Sequence, residues 1–479
     1  MQIPVINGTL TDSAAEFRTS YPVNLVPVPK PQGISQGYLK TADGMIEFAR
    51  SIYSEARDRG AINWNGICYR VIGDWLTRVN EDQTIDYLGQ VVDDGKRSVM
   101  VNGFDRLAIS SGGNLYYWSQ SLGLVQVTDL DLGLVLDVVW AAGYYLTTDG
   151  EFIVQTDLND PLSINPLKYG SSEASPDPIN SLLYLRNELV AINRYTSEFF
   201  DNVGGTGFAW QRVEGAMVPK GSIGTHASCY FLDSFAFVGG GYNEAISVWI
   251  GGQGQAVKVA TREIETQLAG YTQAQLAAIF VEQRCDRMHE FLYIHLPDKT
   301  LVYDAAASRA VNDPVWHILV SGAEGELPYR ARNFVQCYGK WLFGDNQSLV
   351  IGYLTDRDAR QFGDTVPWQF DTQIVYNEGR GALFNELELV RLPGRQSVNP
   401  IDGPANTDAT VFYSYTDNGL QWSNPQSSLK TRPGMTDART CWRRLGRMSQ
   451  WRGIRLRGMN NPYPDAFARL EAQLEPLSN

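Results

Sequence analysis

The chain of 479 residues is poor in the side chains that carry most chemistry, with only four histidines and five cysteines. The cysteines, Cys68, Cys229, Cys285, Cys337 and Cys441, are odd in number, widely spaced and form no CxxC pair. That pattern argues against a disulfide framework or a zinc site and suits a reducing compartment. Basic charge is short as well. Forty Lys and Arg against 53 Asp and Glu leave a formal charge of −13, the wrong sign for gripping nucleic acid through its phosphates. The same sign fits a surface along which duplex DNA passes without sticking. Long apolar runs are missing too. The stretch 138–146 is broken by Gly143 and is far too short to cross a bilayer, so no membrane insertion is expected. The start, MQIPVINGTLTDSAAEF, lacks a basic region followed by an apolar core, so no standard secretory signal is expected. HExxH and Walker motifs are absent, and Gly239-Gly240-Gly241 follows a strand pattern but leads into no helix. No catalytic residue, metal or cofactor is therefore expected.

What is present is apolar, aromatic and turn-rich. With 43% apolar residues and 11% aromatics the chain can build large cores, and its 45 glycines point to many turns. Amphipathic helical patterns are nearly missing, so the fold class is all-β. The clearest unit is 287–319. Glu290 to Leu296 and Thr300 to Tyr303 form a hairpin about Pro297-Asp298-Lys299, and Val315 to Val320 adds a third strand after Asn312-Asp313-Pro314. Similar hairpins turn at Gly73-Asp74, Gly112-Gly113-Asn114, Thr148-Asp149-Gly150, Arg186-Asn187-Glu188, Asp233 and Gly339-Lys340. This radial type of repetition predicts a β-propeller of six or seven blades over 49–365, with a stacked sandwich as the alternative. A capping box at Thr272–Gln275 predicts a short inserted helix near 272–283, carrying Leu276, Ile279 and Phe280 inward.

The two ends differ from this middle. Residues 1–48 hold Pro22, Pro27, Pro29 and Pro31, which deny helix and break sheet ladders. They read as an extended strap, either a linker or a segment docked on the C-terminal domain or a neighbouring subunit, where Val23, Leu25, Val26 and Val28 are covered. Residues 366–479 show longer alternating strands and read as a β-sandwich-like assembly domain, with a loop over 396–410.

Candidate sites are few. His289 and His295 would share a strand face too far apart for one metal ion, and His226 and His317 stand alone, so all four read as structural. Tyr415 to Trp422 approaches an Asp-box hairpin, in which Asp417 would bond the turn backbone. Paired carboxylates of a glycosidase stay open among so many Asp and Glu, and a carbohydrate-binding or glycan-hydrolysing propeller is the alternative class. The strongest local contrast is basic: Arg439, Arg443, Arg444, Arg447, Arg452, Arg455 and Arg457, interleaved with Trp442 and Trp451. These residues offer a contact to an acidic partner or a second copy of the chain, a nucleic-acid face, or a plain solvated strand.

Four segments, YPVNLVPVPKP with GYLKTADGM, DRMHEFLYIHLPDKTLVYDAAAS, YTQAQLAAIF and CWRRLGRMSQWRGIRLR, resemble in wording and order the tail hub of short-tailed phages. That family is also known as the packaged-DNA stabilisation proteins or tail accessory factors of Salmonella-type podoviruses. Loop lengths differ, and an insertion around Ile401 to Asp408 is longer here. The resemblance implies a virion protein without catalysis, assembled in the host cytoplasm into the tail. It implies a hexameric ring below the portal-adaptor that closes the channel after packaging and conducts DNA on ejection. The implied partners are a tail needle or plug and tailspikes or fibres.

Overall fold

The structure, a computed structural model, describes the chain apart from residues 1, 4–20, 30–34, 36, 54–56, 159–160, 253, 373, 378–379, 392–409, 419–420, 429–434, 436, 461 and 478–479. The loop expected over 396–410 lies outside the described residues except for its last position, and the 401–408 insertion lies wholly outside them.

Short strands rich in β-branched and aromatic residues pair locally because two-residue turns join many of them. Asn65-Gly66 and Arg186-Asn187 both hold two successive positive φ angles, the geometry that matches the right-handed twist of the flanking strands. The result is seven antiparallel sheets, over 58–90, 99–126, 137–171, 179–212, 221–258, 280–328 and 331–355. The innermost strand of each sheet touches that of the next, Ser228–Phe231 taking this place in the fifth. Ala331–Cys337 of the seventh returns to Asp58–Trp64 of the first, so the ring closes. The fold is a seven-bladed β-propeller. Cores lie between blades, as where Tyr69, Val71 and Leu76 of blade one meet Leu107, Ile109 and Trp118 of blade two. Each such buried side chain contributes about 1.5–3 kcal/mol.

Ring closure uses the N-terminal region. Gly44–Arg50 is the outermost strand of blade seven, antiparallel to Val350–Thr355. Residues 44–48, read from sequence as the end of the strap, are therefore part of a blade. The seam between blades seven and one is also tied by a fully buried arginine. Arg70 Nε reaches Asp58 Oδ2 at 2.5 Å and Nη2 donates to Asn333 O at 2.8 Å.

Blade six contains the 287–319 hairpins, with strands His289–His295, Thr300–Asp304 and Trp316–Ser321. Its innermost strand is Phe280–Asp286. The inserted helix is therefore shorter than expected. Its capping box forms at Thr272, but the helix ends at Ala277 and the backbone turns extended at Phe280. Two further helices, Arg262–Ala269 and Ala305–Val311, have no counterpart in the sequence reading.

The C-terminal part is a β-sandwich. One sheet runs in the order Leu25–Pro29, Gly37–Thr41, Ala466–Pro476, Ala382–Arg391, Thr440–Met448. The other runs Pro367–Asp371, Trp451–Met459, Phe412–Thr416, Gln426–Ser427. Between them lies a core that includes Leu25, Leu39, Trp368, Phe384, Leu387, Ile454 and Phe467. Leu25–Pro29, within the segment read as an extended strap, is thus a strand of the sandwich. Pro27 and Pro29 are tolerated because Leu25–Pro29 is the edge of its sheet, where a missing N–H breaks no ladder.

Residues 22–24 join the two parts. Val23 exchanges backbone hydrogen bonds with Gln369 of the sandwich, and Pro22 O and Asn24 N–H bond Ile318 of blade six. Asn24 is buried at φ +53°, a left-handed position that asparagine tolerates better than most residues. Its Oδ1 accepts Val320 N–H at 3.0 Å and its Nδ2 donates to Pro367 O at 2.7 Å. Asn24→Ala leaves both backbone groups without partners in a buried seam and should lower stability by about 3 kcal/mol. Urea denaturation measures it; a loss below 1 kcal/mol would remove the seam's importance.

His317 gives a pH prediction. It is buried beside Phe291, and its Nδ1 has no hydrogen-bond partner. Burial pushes its pKa down to about 3; Arg284 and His289 add to that, while Asp304 and Asp43 oppose it. An unfolded histidine takes up its proton near pH 6.5. The stability it confers is therefore complete above that pH and falls away as the pH drops towards 3. His317→Phe should be close to neutral at pH 7 and more stable than the parent by about 2 kcal/mol at pH 5, checked by denaturation at both values.

Candidate assembly surface

The arginine-rich strands Thr440–Met448 and Trp451–Met459 belong to opposite sheets of the sandwich, so their side chains separate into distinct environments. In Trp451–Met459 the period of two puts Arg452 on the same face as Ile454 and Leu456, which point into the core. Arg452 is fully buried. Its Nε and Nη2 grip Asp417 at 2.8 and 3.0 Å, and it donates to Leu445 O and Arg447 O at 2.8 and 2.9 Å. Its guanidinium lies 3.9 Å from the Tyr415 ring centroid. Asp417 therefore holds an arginine, and the turn amide of Gln421 is accepted by Asn418 Oδ1 instead. The Asp-box reading is corrected accordingly.

Arg455, on the other face, makes a two-pronged pair with Asp371 at 2.9 and 2.8 Å and covers the Trp422 ring at 3.8 Å. Trp442 is buried, its Nε1 donating to Gln426 O at 3.0 Å. Leu25 is buried as well, whereas Val23, Val26 and Trp451 are half-buried. Trp442 and Arg452 are thus interior residues, which corrects their reading as contact residues, while Leu25 is covered by the C-terminal sandwich. The alternation of Arg452 with Ile454 and Leu456 was the signal that could have placed it.

Arg439, Arg443, Arg444 and Arg447 face solvent, and Arg457 is half-buried. Arg439 and Arg443 bond Glu386 and Glu388 across the strand pair, with Arg443 Nε 2.8 Å from Glu386 Oε2. Such exposed pairs are screened by solvent and add little to stability. The cross-strand register slips between Phe384 and Glu386, and Arg444 sits there at φ +59°, pushed outward by the bulge. Arg444 and Arg447 are exposed and have no carboxylate partner among the described residues. Arg443, Arg444 and Arg447 therefore form a compact basic edge on the outermost strand of the larger sheet. Among the described residues, no group of three His, Cys, Asp or Glu side chains comes together as a metal site. His289 instead meets Asp304 at 2.6 Å, and His295 meets Glu282 at 2.8 Å.

Two family descriptions match the chain in succession. "Bacteriophage P22 Gp10, beta-propeller" covers residues 1–359, and "Bacteriophage P22 Gp10, beta-sandwich" covers 367–475. The chain belongs to the phage P22 Gp10 family. A curated member, the tail hub protein gp10 of Salmonella phage P22, is 29% identical over 95% of this chain and 96% of its own length. Among solved structures, the WD40 domain of Neurospora crassa Pan2 is similar with a TM-score of 0.41 at 10% identity, over 65% of this chain and 93% of that domain. PorZ of Porphyromonas gingivalis has a TM-score of 0.33 at 11% identity, over 62% of this chain and 42% of PorZ. For this Gp10-family chain the two match boundaries fall on either side of 360–366, between the last propeller strand and the first sandwich strand at Pro367.

The two kinds of arginine should behave differently. Arg452→Ala removes an internal brace and should cost about 3 kcal/mol, while Arg447→Ala should stay within about 0.5 kcal/mol. Chemical denaturation of the full chain compares them; equal losses would mean that burial does not set their roles.

Proposed function

We propose that this chain is the tail hub, or nozzle, of a short-tailed phage: a structural protein that forms a ring below the portal-adaptor. In that place it closes the DNA channel after packaging and becomes the conduit on ejection. The observation that carries the reading is the likeness to a tail hub protein along almost the full chain, across propeller and sandwich alike. A partial likeness would support only a shared module. The physical features agree with it. Rigid sheets tied at residues 22–24 suit a wall under load, and a net charge of −13 lets duplex DNA slide without being held.

Oligomerisation as a hexamer and contact with an adaptor, a tail needle or plug, and tailspikes or fibres are parts of the same proposal, as are assembly in the host cytoplasm and residence in the virion tail. The basic edge of Arg443, Arg444 and Arg447 is the contact surface we favour, since it is exposed and two of its three charges are unanswered among the described residues. An acidic face on a second copy or on the adaptor is the matching chemistry.

Light scattering on the purified chain, alone and mixed with its adaptor, tests the proposal. A mass six times that of the chain is expected, and a persistent monomer in both samples would overturn it. Reversing Arg443, Arg444 and Arg447 to Glu should weaken assembly at least tenfold while the unfolding midpoint stays within a few degrees. Unchanged assembly would release these residues from the interface.

A further inference from the structure

A cavity of about 600 Å³ opens where the N-terminal strands meet blades six and seven. Val26, Val28 and Lys40 line one side, Arg284 and His317 of blade six another, and Lys340 of blade seven a third. Its size falls within the range of small-ligand sites, and none of the contacts that hold the ring or the seam fills it.

Two polar side chains on its lining are incompletely satisfied. Arg284 is buried, with Nε donating to Tyr293 Oη at 3.1 Å and Nη2 to Asp43 Oδ2 at 3.0 Å. Its Nη1 makes no hydrogen bond among the described residues, and the Asp286 carboxylate stands 3.5 Å away. His317 Nδ1 makes none either. A buried polar atom left unpaired is costly, so two beside one cavity suit a site that something outside the chain completes.

The charge of the lining says what that something is. Lys40, Arg284, Arg287, Lys340 and Arg357 face Asp43, Asp286 and Asp356. Asp43 is answered by Lys40 and Arg284, and Asp356 by Arg287. Lys340 has no carboxylate partner among the described residues; its Nζ lies 5.3 Å from the ring centroids of Phe48 and Tyr353. A local excess of cations in a chain of −13 selects an anion. Much of the rest of the wall, including Phe291, Tyr329 and Leu319, is aromatic or aliphatic.

We infer that this cavity binds a carboxylate carried on an apolar or aromatic body, the charge directed to Arg284 and Lys340 and the body to Phe291 and Tyr329. A free organic acid and the C-terminal end of a polypeptide share that chemistry. Because the cavity is walled by both the N-terminal strands and two blades, a ligand there also clamps the seam between them.

Calorimetric titration of the full chain tests the inference with benzoate against benzamide. A tetrapeptide ending in phenylalanine, as free acid and as C-terminal amide, forms the second arm. Each acid should bind at least tenfold more tightly than its neutral amide. Tighter binding of the peptide acid than of benzoate assigns the site to a polypeptide end, and equal or weaker binding assigns it to small acids. Arg284→Gln strands Asp43 and risks misfolding, so the variant of choice is Lys340→Gln at the rim. It should weaken acid binding about two- to fivefold with an unchanged unfolding midpoint. Acid and amide binding alike, neither binding at millimolar concentration, or acid binding untouched by Lys340→Gln would each overturn the inference.

Discussion

The backbone hydrogen bonds made by three residues, Pro22 to Asn24, are the constraint on which the rest of the molecule depends. Two separately cored parts, a propeller and a sandwich, would ordinarily meet through side chains and move relative to each other. Here Ile318 of blade six and Gln369 of the sandwich are bridged by the same short segment, so the sheets run almost continuously from one part into the other. Amide hydrogen bonds in a buried seam are directional and costly to leave unmade. They fix orientation in a way that an apolar contact of the same area does not.

The middle of the fold was legible because its signals are local. Alternating apolar strands and two-residue turns identify hairpins without reference to anything distant, and the capping box at Thr272 names a helix start on its own. What escaped was decided by distant partners. The innermost strand Phe280–Asp286 follows directly on a helix and carries Glu282 and Arg284 inside, so its composition resembles a polar connector. Pro27 and Pro29 argued against a strand only because nothing in the sequence says that Leu25–Pro29 lies at a sheet edge. The closing strand Gly44–Arg50 pairs with residues some three hundred positions later, a separation that no local pattern reports.

The candidate contact residues divide along the same line. Seven arginines in about twenty residues looked like one basic face, yet a strand presents alternate residues to opposite sides, and two strands of opposite sheets do so independently. Arg452 and Arg455 are consumed in bracing the sandwich through Asp417 and Asp371. Arg439 and Arg443 are partly neutralised by glutamates on the adjacent strand. Among the described residues, Arg444 and Arg447, at and just past the bulge, and the half-buried Arg457 keep unanswered charge. The period-two placement of Arg452 was readable from the sequence; the glutamate neighbours were not, because they come from a strand fifty residues earlier.

Gly44–Arg50 completes blade seven, and Gly37–Thr41 completes a sheet whose next strand is Ala466–Pro476. Blade and sheet are thereby each completed by strands hundreds of residues apart. During synthesis the growing chain can form blades one to six in turn, but Gly44–Arg50 waits for Val350–Thr355, and the pair Leu25–Pro29 and Gly37–Thr41 waits for Ala466–Pro476. Long-range pairing of that kind is slow to nucleate and leaves open edges exposed meanwhile. The native state withdraws those edges when their late partners dock, which makes the rigid molecule appear only after strands hundreds of residues apart have met.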